Sequence, residues 1–315
     1  MKKIKLFTIP IIFLLFLLPA AVSALEMPGN FAASEKKATD EPDEIGITAF
    51  AYVVMDENSG TVLLEKNAKE LWAPASLTKL VTAMVLLDSK PQLEKAVLMS
   101  AEDEVGGVRI RSTPGISFRF IDLLHATLLP SANNAAYALA RTSGRSMQDF
   151  VNRMNLKTAA LGAQNTYFSE PTGLSERSVT TAEDYAKILK AAFDYPLIKE
   201  IASKNEFSFG AVNSTSYWQK VTSTNNILND SNFNSLIGKT GYIEVSKYNF
   251  VSEVSDKFGN NLAVVVLGSK DSNSRFTEAR QLAMMGGLAK VFPGAPLVLG
   301  ASIQADIALR NLVFK

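Results

Sequence analysis

The sequence has no cysteine and a single histidine, His125, among its 315 residues. Disulfide bonds are therefore impossible, and so are the cysteine- and histidine-based sites that usually hold zinc. The carboxylates form no cluster that could replace such ligands, so we expect neither a metal ion nor another cofactor. The lack of cysteine does not identify the compartment, because an exported protein can also dispense with thiols.

A dominant charge of either sign is also absent. Lysine and arginine number 32 against 31 aspartates and glutamates, so the formal net charge is +1. Proteins that bind nucleic acids usually carry a basic surface that neutralises phosphates. We therefore expect no nucleic-acid partner. The hydrophobic content of 47% is enough for one sizeable core, or for two lobes around it.

A long apolar run occurs only at the N-terminus. "MKKIK" is basic, "LFTIPIIFLLFLL" is apolar, and "PAAVSA" supplies a helix breaker and small residues. This pattern predicts a signal peptide over residues 1–24 and a protein exported to the periplasm or cell-wall space. The alternative is an uncleaved anchor, since the run is nearly long enough to span a bilayer. Only in that case would the protein contact a membrane. Pro19 ends the run early and favours cleavage.

Patterns along the rest of the chain indicate one folded domain. Residues 25–46 are polar and aperiodic, which predicts a flexible leader, and residues 292–315 are a short C-terminal extension. Between them, residues 47–291 begin with one predicted hairpin and end with another, around "KFGN", and a last helix. Helical periods fill the middle. We therefore predict an α+β fold whose antiparallel sheet uses N- and C-terminal strands, flanked by helices, with an inserted all-helical lobe and a cleft beside it.

A serine and a lysine stand one helical turn apart where the chain is otherwise apolar. Ser76 and Lys79 open the helix after the first hairpin, in "LWAPASLTKLVTAMVLLD". A serine hydroxyl is a weak nucleophile unless a base takes its proton. His125 lies on an apolar helical face, which favours a structural role, whereas a lysine that burial keeps neutral can serve as the base. The same spacing at Ser34 and Lys37 lies in the polar leader, where it has no such meaning.

Two further short motifs are unspecific when taken singly. Ser131 and Asn133 follow Pro130, which separates two helices, so their side chains can project into the cleft. Alternatively, Ser131 only caps the second helix. Lys239 to Gly241 ("KTG") lies on a late strand, where the glycine permits close approach of a ligand and the lysine supplies positive charge. The alternative there is a solvated lysine in a turn.

The order of the three motifs resembles that of the serine penicillin-recognising enzymes: Ser-x-x-Lys, then Ser-x-Asn, then Lys-Thr-Gly. From about Ile47 to Leu288 the chain resembles the low-molecular-weight penicillin-binding proteins, the D-alanyl-D-alanine carboxypeptidase family of serine peptidases. "VRIR" and "FSEPTGLSERSVTTAEDYAKIL" are most similar to its short periplasmic D-alanyl-D-alanine endopeptidase branch. The resemblance implies the β-lactamase/transpeptidase-like form of the α+β fold.

The resemblance also implies catalytic roles for three side chains. Ser76 would attack the carbonyl of the penultimate D-alanine in a peptidoglycan stem peptide, with Lys79 as the base. Ser131 would pass the proton to the leaving amine. The implied substrate-binding residues are Asn133, Lys239, Thr240, Gly241, Tyr242 and Arg275.

Two features of the substrate would be recognised within that set. The backbone N–H groups of Ser76 and Tyr242 would form the oxyanion hole, and Thr240 and Arg275 would hold the terminal D-alanine carboxylate. For Arg275, an ordinary surface position on the last helix is the alternative. The partners implied are peptidoglycan peptides, and β-lactams would act as covalent inhibitors.

Three functions stay open at this point. A DD-peptidase trims the terminal D-alanine or cuts cross-links with the same acyl-enzyme chemistry, and the motifs do not choose between these reactions. A β-lactamase shares the motifs but needs a carboxylate that activates water, for which Glu170 is the nearest candidate. A non-enzymatic penicillin or peptidoglycan receptor is suggested by Ile243, which replaces a threonine common in the family. Asn134, in place of a frequent aspartate, is a milder departure. The intact motifs favour the DD-peptidase.

Overall fold

The two ends of the folded chain meet in one central sheet of this computed structural model, which describes residues 40–292. The strands are β1 (Ala51–Asp56), β2 (Val62–Lys66), β3 (Ala96–Leu98), β4 (Ser117–Arg119), β5 (Glu206–Gly210), β6 (Trp218–Thr222), β7 (Phe233–Ile243), β8 (Lys247–Asp256) and β9 (Asn261–Ser269). Five of them form the antiparallel sheet in the order β2–β1–β9–β8–β7. The last strand pairs with the first, from Ala51 opposite Leu267 to Asp56 opposite Leu262. This confirms the predicted sheet of N- and C-terminal strands.

A helical lobe occupies the chain between β2 and β7, and a last helix follows the sheet. The helices are α1 (Thr78–Asp88), α2 (Phe120–Leu128), α3 (Asn133–Arg141), α4 (Met147–Ala160), α5 (Ala182–Phe193), α6 (Pro196–Ala202) and α7 (Ser274–Val291). The antiparallel pairs β3–β4 and β5–β6 add two small two-stranded sheets to the lobe, which the sequence had predicted to be all-helical. These small sheets were not predicted, although "EFSFG" and "WQKVT" alternate as strands do.

Both faces of the sheet are covered, as its central strand β9 shows. Successive side chains of a strand point to opposite faces. Leu262, Val264 and Val266 therefore join the core under α7, while the residues between them join the core of the lobe. Helix α1 is buried from Thr78 to Leu86. The helix that carries Lys79 thus passes through the interior instead of lying on the surface.

Parts of the predicted organisation lie outside the described residues. These are the signal peptide (1–24), residues 25–39 of the leader and residues 293–315 of the extension. Within residues 40–292, no helix combines the length and the apolar character needed to cross a bilayer.

Candidate active site

Ser76 lies in a single 3-10 turn, Ala75–Leu77, that leads directly into α1. Ala75 has a φ of +51°, in the left-handed region that residues other than glycine rarely adopt. Because the chain turns sharply here, Ser76 is partly exposed while Leu77 is fully buried. The turn therefore presents the hydroxyl to the cleft at the point where the helix enters the interior.

Asn249 of β8 holds the segment that precedes this turn. Its Nδ2 donates to the carbonyls of Ala73 at 3.0 Å and Pro74 at 3.2 Å, and its Oδ1 accepts from the N–H of Gly268 at 2.9 Å. The amide is fully buried, so all three bonds are shielded from water. Sequence reasoning missed Asn249 because its carbonyl partners lie 176 and 175 residues earlier in the chain.

The Lys79 amine is fully buried and makes three hydrogen bonds. Nζ donates to Ser76 Oγ at 2.9 Å, to Asn133 Oδ1 at 2.7 Å and to the carbonyl of Thr172 at 2.6 Å. Burial lowers the pKa of Lys79 from 10.5 to about 7, and the negative charge of Glu170 opposes that shift. An amine that is partly neutral at this distance can accept the proton of Ser76.

Ser131 lies in the break between α2 and α3 and has a φ of +68°. Helix α3 has Ala132 as its N-cap residue and no side-chain capping bond. The alternative that Ser131 caps this helix is therefore wrong. Its Oγ accepts a hydrogen bond from Lys239 Nζ at 2.7 Å, across the cleft between lobe and sheet.

Asn133 connects Lys79 to the loop that follows β3. Its Nδ2 donates to the carbonyl of Gly106 at 2.9 Å while its Oδ1 faces Lys79. A Cβ on Gly107 would lie 2.4 Å from this Nδ2, and Gly107 has a φ of +65°, so only glycine fits here. The amide is thereby held in one orientation, with its acceptor toward the lysine.

Lys239 is only 2% exposed, so the alternative of a solvated turn lysine is wrong. Its Nζ donates to Ser131 Oγ and to the carbonyl of Thr240 at 2.8 Å. Burial, followed by the positive charges of Lys79 and Arg275, holds the pKa of Lys239 well below its usual value. Any anion that enters the cleft would relieve this repulsion.

The edge strand β7 lies against the turn that carries Ser76. A Cβ on Gly241 would lie 2.8 Å from the Pro74 carbonyl oxygen, so a larger residue would push the strand away. Thr240 Oγ1 and Thr224 Oγ1 lie 2.6 Å apart and share a hydrogen bond. Tyr242 is half-exposed, and its ring centroid lies 4.5 Å from that of Tyr248.

Arg275, in the first turn of α7, is only 9% exposed, so the alternative of a surface arginine is wrong. It makes long hydrogen bonds of 3.4 Å to the Gly241 carbonyl and to Ser272 Oγ, and its Nε has no acceptor. Burial lowers the pKa of Arg275 to about 10. Within residues 40–292, no carboxylate hydrogen-bonds to it. A buried guanidinium with an unused donor favours an anionic ligand.

The two departures from the family pattern have different consequences. Asn134 pairs with the backbone of Ile110, accepting from its N–H and donating to its carbonyl, both at 3.0 Å. An aspartate could not make the second bond, which explains the asparagine. Ile243 lies at the end of β7, where its N–H donates to Ser246 Oγ at 3.1 Å. Its side chain offers no hydroxyl to a ligand.

His125 takes no part in this arrangement. Its Nδ1 lies 2.9 Å from the Ile121 carbonyl, its ring stacks on Phe207 at 3.8 Å, and its Nε2 faces Lys204 at 3.1 Å. These contacts belong to the packing of the lobe. They fit the structural role expected from the sequence.

The site therefore brings together two serine–lysine pairs, Ser76–Lys79 and Ser131–Lys239. With Arg275 they form a cluster of basic groups without a carboxylate in hydrogen-bond contact, within the part of the chain that the structure describes. Chemically, such a site can activate a serine near neutral pH and attract an anionic substrate.

Comparison with known proteins gives consistent matches along this part of the chain. Residues 35–271 match the family described as D-alanyl-D-alanine carboxypeptidase. The D-alanyl-D-alanine endopeptidase of Pseudomonas aeruginosa is 31% identical over 82% of this chain and 84% of that protein. The D-alanyl-D-alanine carboxypeptidase DacF of Bacillus subtilis is 30% identical over 80% of this chain and 65% of that protein. The crystal structure of the Streptomyces K15 DD-transpeptidase, 25% identical, superposes with a TM-score of 0.71 over 80% of this chain and 99% of that one.

Proposed function

The chain belongs to the D-alanyl-D-alanine carboxypeptidase family, and we propose that it is a serine DD-peptidase that cleaves D-alanyl bonds in peptidoglycan stem peptides. The observation that carries this proposal is the pair Ser76–Lys79, a hydroxyl 2.9 Å from a buried amine whose pKa is about 7. Burying an ionisable amine opposes folding. A protein that only bound peptidoglycan would have no use for such an amine beside a hydroxyl.

In the proposed acylation, Ser76 Oγ attacks the carbonyl carbon of the penultimate D-alanine while its proton passes to Lys79 Nζ. The amide C–N bond then breaks, the leaving amine takes up a proton, and an ester remains on Ser76. Ser131, whose hydroxyl Lys239 holds at 2.7 Å, would deliver its own proton to the amine and take up the one that Lys79 received, which leaves both side chains as they began. Water hydrolyses the ester in the second half of the reaction.

The backbone N–H groups of Ser76 and Tyr242 would form the oxyanion hole. The close approach of Gly241 to Pro74 supports this role, because it brings strand and turn to either side of one carbonyl position. Fixed donors aimed at the developing oxyanion are commonly the largest single contribution to such catalysis.

Thr240 and Arg275 would hold the carboxylate of the leaving group. Two observations support this assignment: the unused Nε of Arg275 and, among residues 40–292, the lack of a carboxylate that hydrogen-bonds to it. Since Ile243 supplies no hydroxyl, binding of this carboxylate would depend on these two side chains and on the positive charge of Lys239. A charge-assisted pair formed in a dry cleft is stronger than one in water.

The surroundings of Glu170 disfavour the β-lactamase alternative. One carboxylate oxygen accepts from the N–H groups of Gly173 at 2.5 Å and Leu174 at 2.8 Å. The other accepts from the N–H of Thr172 at 2.7 Å and from its hydroxyl at 2.6 Å. A carboxylate whose two oxygens are occupied in this way is not free to activate water.

Between the two DD-peptidase reactions, we favour cleavage of cross-links. The D-alanyl-D-alanine endopeptidases of Pseudomonas aeruginosa, Escherichia coli and Haemophilus influenzae are 30–31% identical to this chain over 80–84% of their own lengths, which supports this choice. We further propose that residues 1–24 direct export and that residues 47–291 form the catalytic domain. The protein would then act in the periplasm or cell-wall space and would be acylated by β-lactams.

Intact-mass measurement after brief exposure to benzylpenicillin tests the proposed function. We expect a lasting adduct on the wild type and on Ser203→Ala, an exposed control, but not on Ser76→Ala. An unmodified wild type with intact drug would favour the receptor, and an unmodified wild type with hydrolysed drug would favour a β-lactamase. Chromatography of a cross-linked muropeptide dimer and of a pentapeptide monomer, each incubated with the protein, then separates cross-link cleavage from trimming.

A further inference from the structure

The loop after α4 is folded around a single carboxylate. Besides the four bonds from Thr172, Gly173 and Leu174, Glu170 accepts a longer one from the N–H of Ser175 at 3.4 Å. The N–H groups of four successive residues thus converge on one side chain. Within residues 40–292, no lysine or arginine forms an ion pair with Glu170, so its direct hydrogen-bond donors are four backbone N–H groups and the Thr172 hydroxyl.

This loop contacts both helix α1 and the 3-10 turn that precedes it. The carbonyl of Thr172 accepts from Lys79 Nζ at 2.6 Å, and the carbonyl of Pro171 accepts from Thr82 Oγ1 at 2.6 Å. A Cβ on Gly173, whose φ is +83°, would lie 1.9 Å from the Ala75 carbonyl oxygen. The loop therefore packs closely against the strained turn that contains Ser76. The conformation of the loop sets the direction of the Thr172 carbonyl.

Within residues 40–292, the other groups that face Lys79 are positive or neutral. Ser76 faces it from the 3-10 turn before α1 and Asn133 faces it from α3, while Lys239 on β7 carries a positive charge that interacts with it. Arg275 adds positive charge beyond Lys239. Glu170 is the carboxylate whose charge acts on Lys79, in opposition to burial.

We propose that Glu170 is the positioning residue of the general base: it holds the Thr172 carbonyl on Lys79 Nζ, and it supplies the counter-charge that stabilises the ammonium form. The consequence for catalysis depends on the proposed function. When Ser76 transfers its proton, Lys79 becomes a buried cation whose charge repels that of Lys239. A fixed carboxylate lowers the free energy of that state, so the proton can rest on Lys79 before it passes to the leaving amine.

Titration of the Lys79 side chain tests this inference without any substrate. The protein labelled with [13Cε]lysine is followed by NMR against pH, and the Lys79 signal is the one that Lys79→Arg removes. In Glu170→Gln we expect the pKa of Lys79 to fall by about one unit, the smaller end of the effect of a neighbouring opposite charge. In Glu170→Asp, which keeps the charge, we expect a shift of less than half of that. Glu176→Gln, which neutralises an exposed carboxylate six positions further along the chain, is the matched control and should leave the pKa unchanged.

The variants also distinguish the loss of the Glu170 charge from a failure of the protein to fold. If Glu170→Gln does not fold, Glu170→Asn replaces it, since an asparagine can still accept from a nearby backbone N–H in an Asx turn. An unchanged or raised pKa of Lys79 in the neutral variant would overturn the inference, as would equal shifts in the neutral variant and Glu170→Asp. A wild type that forms no penicillin adduct would instead refute the proposed function. The titration of Lys79 would still show whether Glu170 stabilises its ammonium form.

Discussion

Replacement of Lys79 by arginine tests the central assumption about the site, that a neutral amine takes the serine proton. With a pKa of about 7, about half of the Lys79 side chains are neutral at pH 7. Even if burial lowered the pKa of an arginine at this position to about 10, as it does for Arg275, only about one molecule in 10³ would be neutral. A well-placed general base contributes about 10²- to 10⁴-fold to the rate. We therefore expect Lys79→Arg to slow acylation by about 1000-fold.

The assay is the rate of labelling by a fluorescent penicillin under single-turnover conditions, at pH 7 and at pH 9. The matched control is Lys69→Arg, because the side chain of Lys69 is 82% exposed and far less constrained. Its rate should equal that of the wild type. Circular dichroism checks that each variant is folded, since a guanidinium is larger than an amine in a closed site.

Acylation of folded Lys79→Arg within tenfold of the wild-type rate would refute the reasoning. If this variant does not fold, Lys79→Met gives the decisive result, because methionine is apolar, similar in length and unable to accept a proton. A fast Lys79→Met would likewise remove Lys79 from the role of base and leave Ser131–Lys239 as the alternative source of activation.

Four further predictions concern the pH response, the backbone and the substrate. The acylation rate should fall about tenfold per pH unit below about pH 7 and level off above it, because burial lowers the pKa of Lys79 and only the neutral amine is a base; a rate that is flat from pH 5 to 8 would contradict this. Gly241→Ala should lose about 1–3 kcal/mol of unfolding free energy in urea and most of its acylation rate, since the added Cβ would lie 2.8 Å from the Pro74 carbonyl; wild-type values for both would show that the strand can move. Asn249→Ala should lose about 2–4 kcal/mol in the same urea assay, because two carbonyls and an N–H lose their buried partner. Arg275→Ala should raise KM at least about tenfold for peptides with a free terminal carboxylate, but not for the corresponding amides; equal effects on acids and amides would exclude carboxylate recognition.

Local sequence patterns were enough to predict the elements and side-chain contacts that form between residues close together in the chain. Ser76 and Lys79 are three residues apart in a continuous helical stretch, a 3-10 turn followed by α1, so their spacing predicts that the side chains meet, and they do at 2.9 Å. The break at Pro130 and the terminal hairpins follow in the same way from turn chemistry. Short strands such as β3, with three residues, carry too little alternation to be recognised.

Contacts between distant segments had no local signal. Ser131 and Lys239 are 108 residues apart, and only the order of the motifs in a family suggested that they meet. The positive φ values of Ala75 and Ser131 could not be expected from alanine or serine, because the surrounding structure imposes them. For Glu170, the residue type indicated a possible carboxylate base, whereas its hydrogen bonds assign it to the loop.

The sequence by itself determined the α+β class, the chemistry of the candidate nucleophile and base, and the exclusion of disulfides and cysteine–histidine metal sites. Only the tertiary structure decided that Lys79, Lys239 and Arg275 are buried together and that, among residues 40–292, Glu170 is the carboxylate whose charge acts on Lys79. The physical reason is that a residue type sets the ordinary pKa of a group, whereas desolvation and neighbouring charges shift it. Both of these depend on segments that become neighbours only when the chain folds.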